Sequence, residues 1–179
     1  SVMGRYVLTG SQQFGLLSHI SQSLAGRVAM AELLPFACDE VYPHPPSLDE
    51  VLFTGLYPPV HDRHLAPGDW YPSYAQTYIE RDVRQLVNVR DLAVFQRFIR
   101  LCAGRTGQLL NLSNLATDAG ITHVTARSWI SILEASYIVF LLRPHHRNFN
   151  KRIIKAPKLY FFDTGLAGWL LGIQNPRQL

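Results

Sequence analysis

Apolar residues return along this chain with two different periods. Residues 5–9 (RYVLT) form a short dense run, read as a buried strand closed by Gly10-Ser11. From 13 to 24, Phe14, Leu17, Ile20 and Leu24 recur at three and four residues, which places them on one helix face, and Gly26 stops the pattern. A second apolar run at 28–34 (VAMAELL) ends at Pro35. Strand, helix, strand is the order of a parallel α/β sheet. Residues 43–72 then break the rhythm with seven of the eleven prolines, and proline removes backbone donors and fixes φ. Within that stretch only Ser47–Thr54 reads as a short helix, with Ser47 as cap and Asp49 and Glu50 in its first turn.

After Pro72 the period is helical. Ser73 is a cap for a helix to about Val87. A second helix over Arg90–Gly104 carries Leu92, Phe95, Phe98, Ile99 and Cys102 on one face and Arg97 and Arg100 on another. Residues 112–133 hold the most specific pattern. Ser113 is read as the cap of a short helix with Leu115, Ala116 and Ala119 inward. Gly120 sits where a tight turn wants positive φ, and Ile121 fills the corner. Thr122 caps a second helix with Ala126, Trp129, Ile130 and Leu133 inward. This is a helix-turn-helix. Two β-type runs follow, Tyr137–Leu142 and Lys158–Phe162, joined by a long basic connection. Helix-turn-helix, strand, basic loop, strand is the order of a winged helix. Asp163-Thr164 then caps a helix to about Leu171. The expected class is α+β: an α/β remnant at 1–42, a proline-rich junction at 43–72, and a mainly helical winged-helix domain at 73–179.

Charge sharpens this division. Residues 1–80 hold three basic and eight acidic side chains, a net −5, whereas 81–179 hold fourteen basic and five acidic, a net +9. A positive half suits nucleic acid, an acidic partner or the acidic half of a second copy; a solvated basic surface is the plain alternative. If the second helix read DNA, its outward stripe would be His123, Arg127 and Ser131, with Val124 and Ser128 beside it. That stripe has one permanent cation, where base readers supply several polar groups, so packing or protein interaction is the preferred role. The wing would contribute His145, His146, Arg147, Lys151, Arg152 and Lys155 to a phosphate backbone.

Several chemistries have no pattern here. No G-x-x-x-x-G-K-[ST] phosphate loop occurs, and Gly104–Gly107 (GRTG) lacks its lysine. Leu159–Asp163 (LYFFD) has the form of a strand ending in a magnesium-binding aspartate, but an N-capping role explains Asp163 better. His61-Asp62-Arg63-His64 pairs two histidines in a loop without further ligands, so no metal site is read there. No nucleophile elbow appears, and no catalytic residue is assigned. Cys38 and Cys102 read as reduced thiols of a cytoplasmic protein. The longest purely apolar run, Tyr137–Leu142, is six residues, against about 20 for a membrane helix.

Three stretches, Tyr6–Ser11 (YVLTGS), Ser23–Arg27 (SLAGR) and Glu32–Phe36 (ELLPF), resemble the later half of the nucleotide-binding core in a group of prokaryotic AAA-superfamily ATPases. Tyr78–Leu86 (YIERDVRQL), the helix-turn-helix and Lys151–Leu171 (KRIIKAPKLYFFDTGLAGWLL) resemble the domain of unknown function that follows it. The distinctive marks are Arg81, Asp82 and the KLYFFDTG motif with Lys158, Asp163 and Gly165. The resemblance implies that the phosphate loop and acidic strand lie before Ser1 and that further fold lies beyond Leu179. It implies ATP and magnesium as cofactors of the intact protein and none bound by this chain alone. It places Ser11 where a polar sensor of the γ-phosphate sits and Arg27 where an arginine contacts nucleotide or a neighbour. Partners expected are a protein or a second copy of the chain, with nucleic acid as the alternative and no membrane.

Overall fold

The computed structural model describes residues 29, 31–44, 46–83, 91–145 and 155–179, with backbone alone for 80–83. The chain divides into two units, Ser1–Leu33 and Leu34–Leu179. In the first, the described residues 29 and 31–33 are exposed and carry no regular structure. A strand over 28–34 was expected; the described residues 31–34 carry no regular structure, and Leu33 is 95% exposed. The strand and helix expected at 5–9 and 13–24 lie outside the described residues, as do Ser11 and Arg27.

The second unit contains 43–72, the stretch read from sequence as a junction. Its prolines start helices there. A short α1 (Cys38–Val41) precedes α2 (Leu48–Thr54), where Ser47 Oγ accepts from the Glu50 amide at 3.3 Å and the Glu50 carboxylate accepts from the Ser47 amide at 3.2 Å. Ser47 is the cap that the sequence reading expected, and the Glu50 carboxylate makes the arrangement a reciprocal capping box. Two unexpected helices follow, α3 (Pro58–Asp62) and α4 (Pro67–Tyr74). Both place a proline in the first turn, where its missing N–H has no intrahelical partner to lose. The helix expected from Ser73 therefore begins at Pro67, and it continues past Tyr74 as a π-helix over Ala75–Val83. Ser73 is interior, its carbonyl accepting from Thr77 Oγ1 at 2.7 Å.

Helix α5 (Leu92–Ala103) is capped by Asp91, whose Oδ1 accepts from the amides of Ala93 and Val94. Phe95, Phe98, Ile99 and Cys102 are buried, as the periodicity requires. Helix α6 (Leu112–Ala119) starts two residues earlier than a Ser113 cap would allow. Asn111 Oδ1 accepts from the Asn114 amide at 3.0 Å, while Ser113 is exposed on the first turn. Asn and Ser are near-equal caps, so composition alone could not choose. Gly120 closes α6 at φ 71°, ψ 36°, and Thr122 caps α7 (His123–Ala135) through its hydroxyl at 3.1 Å from the Thr125 amide. Trp129 of α7 meets the edges of Phe95 and Phe98, both at 5.1 Å between ring centres.

Strands β1 (Val139–Leu142) and β2 (Lys158–Phe161) pair antiparallel, Val139 opposite Phe161 and Leu142 opposite Lys158. Leu109 bridges Lys158 on the other side of β2, and the Gly107 amide donates to the Leu159 carbonyl at 2.7 Å. A third, very short strand segment thus extends the sheet before α6. Helix α8 (Thr164–Leu170) packs against α2, α4 and α5, and a 3₁₀ turn at Pro176–Gln178 ends the chain. The unit is mainly helical with a small antiparallel sheet, an α+β arrangement.

Candidate interaction site

Two features of the second unit stand out: an exposed face on α7 and a buried polar node around Asp163. On α7 the inward side chains Ala126, Trp129, Ile130 and Leu133 are buried. The 3.6-residue period therefore turns His123, Val124, Arg127, Ser128 and Ser131 outward, and all five are exposed. Val124 is 77% exposed. The left-handed turn at Gly120 lets α6 and α7 cross closely, and the Arg97 guanidinium of α5 comes within 3.8 Å of where a Gly120 side chain would start. Arg97 thus lies beside the turn that leads into α7. The sequence reading put Arg97 on a polar helix face without connecting it to this turn, because the link is tertiary. Arg105 is engaged by Asp118.

Of the basic connection, Arg143, His145 and Lys155 are described and exposed, as is Lys158 at the start of β2. Arg147, Lys151 and Arg152 lie outside the described residues, as does His146. In the family-motif pair Arg81 and Asp82 the backbone belongs to the π-helix and the side chains are outside the description. Across the sheet, Leu109, Lys158 and Leu142 share one register row, with Leu109 65% and Leu142 51% exposed.

Asp163 is 1% exposed. Its Oδ1 accepts from the Leu166 amide at 2.7 Å, which is the cap of α8, and lies 2.7 Å from the Tyr71 hydroxyl. Its Oδ2 accepts from the Leu56 amide at 2.6 Å. The capping role anticipated for Asp163 is present, but the residue also holds the turn after α2. Glycine is required on both sides of that contact. A side chain on Gly165 would start 2.9 Å from the Gly55 backbone nitrogen and 2.1 Å from the Tyr71 hydroxyl. Burial pushes the Asp163 carboxyl above the usual carboxylate range, against the pull of the Leu56 amide, the Tyr71 hydroxyl, the Leu166 amide and His61. Burial first, then the nearby Asp163, raises the Tyr71 phenol, and burial also raises Tyr57 and Tyr74. Trp70, Tyr74 and Tyr78 stack on successive turns at 4.8 and 5.3 Å beside this node.

Other candidates carry less. His61 points its Nε2 at the Gly55 carbonyl at 2.8 Å, and His64 is exposed; among the described residues no group of three His, Cys, Asp or Glu side chains is placed to hold a metal. Burial pushes the Cys102 thiol up to about 12, so it is not a nucleophile at neutral pH. A cavity of about 30 Å³ bordered by Ala75, Phe95, Ile99 and Trp169 is far below the ~300–1,000 Å³ of small-molecule sites. Among the described residues no helix is long and apolar enough to cross a membrane.

Comparison with known proteins adds kinship without chemistry. Uncharacterized protein Rv2008c of Mycobacterium tuberculosis and uncharacterized protein Mb2031c of Mycobacterium bovis are each 32% identical to this chain over 173 residues. The alignments cover 96% of this chain and 39% of each relative, so the chain spans well under half of their length. No solved structure matches. Residues 45–177, which include both the α7 face and the Asp163 node, match one family model, and the chain belongs to that family, the domain of unknown function DUF8612.

Proposed function

We propose that this chain is the winged-helix segment of a larger ATP-binding protein of the AAA superfamily, and that the outward face of α7 docks a protein partner under control of the nucleotide state. The observation that carries the docking reading is the composition of that face: Val124, 77% exposed, sits among His123, Arg127, Ser128 and Ser131. An exposed branched apolar side chain with one adjacent cation suits a protein surface better than a row of phosphates. The winged-helix reading is supported by the order α5, Leu109 segment, α6, α7, β1, basic connection, β2, with β2 between the other two strand segments. The ATPase reading rests on the resemblance of Tyr6–Ser11, Ser23–Arg27 and Glu32–Phe36 to a nucleotide-binding core, with Ser11 and Arg27 as its nucleotide-sensing residues and ATP and magnesium as the parent's cofactors. In this reading the chain by itself is catalytically silent.

The test uses the longer M. tuberculosis relative. An environment-sensitive fluorophore placed at its equivalent of Val124 changes emission when ATP and magnesium are added. An unchanged spectrum at saturating nucleotide contradicts nucleotide-controlled docking.

One observation favours a second reading. Arg143, His145, Lys155 and Lys158 are exposed at the ends of the hairpin strands, where a wing tracks a phosphate backbone. Titration of a random-sequence DNA duplex at two salt concentrations decides between them. Affinity that falls steeply with salt implicates the wing. Absence of binding at low salt leaves the protein-docking reading alone.

A further inference from the structure

The Tyr71 hydroxyl stands 2.7 Å from Asp163 Oδ1 and 2.9 Å from the Thr54 carbonyl oxygen. A phenol has one proton, and a backbone carbonyl only accepts. An ionised carboxylate also only accepts, so while Asp163 is charged the two short contacts compete for the single phenol proton. Each contact has a proton of its own when Asp163 is the neutral acid. Its Oδ1–H then donates to Tyr71 Oη, and the Tyr71 O–H donates to the Thr54 carbonyl. Oδ1 keeps a lone pair for the Leu166 amide and Oδ2 accepts from the Leu56 amide.

Thr54 is the last residue of α2. Its carbonyl cannot turn to the amide four residues on, because Pro58 has none. The remaining polar groups of the turn are held from elsewhere. The Gly55 carbonyl faces His61 Nε2 at 2.8 Å, and the Leu56 carbonyl accepts from the Phe36 amide at 2.9 Å. Gly55 itself, at φ 68°, leaves room for Asp163 and Tyr71 to reach the backbone.

We propose that Asp163, Tyr71 and the Thr54 carbonyl form a two-position proton relay that fastens the Thr54 carbonyl at the end of α2 when Asp163 is neutral and frees that carbonyl when Asp163 ionises. On ionisation the carboxyl proton leaves to solvent. The Tyr71 hydroxyl then swings its proton from Thr54 to the charged carboxylate, and the Thr54 carbonyl loses its donor. The geometry sets the two positions, and burial of the carboxyl favours the neutral one. The titratable groups facing Asp163 are His61, Tyr57, Tyr71 and Tyr74. The three phenols stay neutral, since burial raises all of them. His61 is the opposing group, and a charged imidazole there favours ionised Asp163. A carboxyl held above its unfolded value contributes stability below the ordinary carboxylate range, and that contribution is lost as pH rises through the folded-state midpoint. The Thr54 fastening therefore closes in acid and opens as pH rises, while the Leu56 amide stays on Oδ2 throughout.

The experiment is carbon-13 NMR titration of the full chain, following the Asp163 side-chain carboxyl and the Thr54 carbonyl together. The expected result is an Asp163 midpoint above about 3.9, with the Thr54 carbonyl shift moving at the same midpoint. In Tyr71→Phe, which keeps the ring and removes the hydroxyl, Asp163 still titrates and the Thr54 carbonyl no longer follows it. An Asp163 midpoint at or below the ordinary value overturns the proposal. So does a Thr54 shift indifferent to Asp163 in the unmodified chain, a readout that does not depend on the variant folding.

Discussion

At Gly165 two effects of opposite sign compete. Alanine is favoured over glycine inside a helix by about 1 kcal/mol. Against this, a Cβ at Gly165 would start 2.1 Å from the Tyr71 hydroxyl and 2.9 Å from the Gly55 nitrogen, and the latter is backbone that cannot step aside. The steric term wins. Gly165→Ala is expected to lower stability by about 1–3 kcal/mol, seen as a lower urea midpoint. Gly68 supplies the contrast: it lies in α4 with nothing within 4 Å of an added Cβ, so Gly68→Ala is expected to raise the midpoint. An equal response at both sites would contradict the close-approach account. The cap at Asp163 could be read from the local D-T-G-L order. Its burial and its grip on Leu56 and Tyr71 could not, because those partners are 107 and 92 residues away and no spacing announces them.

Among the elements, α7 divides most clearly into a buried and an exposed side. Trp129 lies between Phe95 and Phe98 and is 6% exposed, whereas Val124 is 77% exposed. Trp129→Ala is expected to cost about 3–5 kcal/mol, while Val124→Ala stays within about 0.5 kcal/mol. Equilibrium unfolding of the two variants checks both; a large loss at Val124 would mean that this face is packed. The α6 and α7 helices and the turn between them were legible because periodicity, Gly120 and the Thr122 cap all point the same way. Helix ends without such agreement were not. The α6, α7 and α8 helices close alike, with a left-handed residue at Gly120, Tyr137 and Gly172 and a bond from the next amide to Ala116, Leu133 and Gly168. Glycine marks two of these three ends; Tyr137, at φ 53°, gives no such signal. Helices α3 and α4 were missed because proline reads as a breaker until its first-turn position is known. The Leu109 strand segment is too short to leave a period.

At the scale of the molecule, the boundary was the hardest feature to read. Proline density marked 43–72 as a junction, yet α2 packs on α8 and the unit begins at Leu34. Those prolines set short helices around an aromatic cluster of Tyr57, Trp70, Tyr71 and Tyr74. The family match over 45–177 covers the same stretch. The proposed nucleotide function belongs to a longer protein, and the mycobacterial relatives, of which this chain spans 39%, provide one. The most direct measurement is calorimetric titration of ATP with magnesium into this chain and, separately, into the full-length M. tuberculosis relative. The account predicts saturable binding by the relative and no heat of binding with this chain. Binding by this chain alone, or none by the relative, would contradict it.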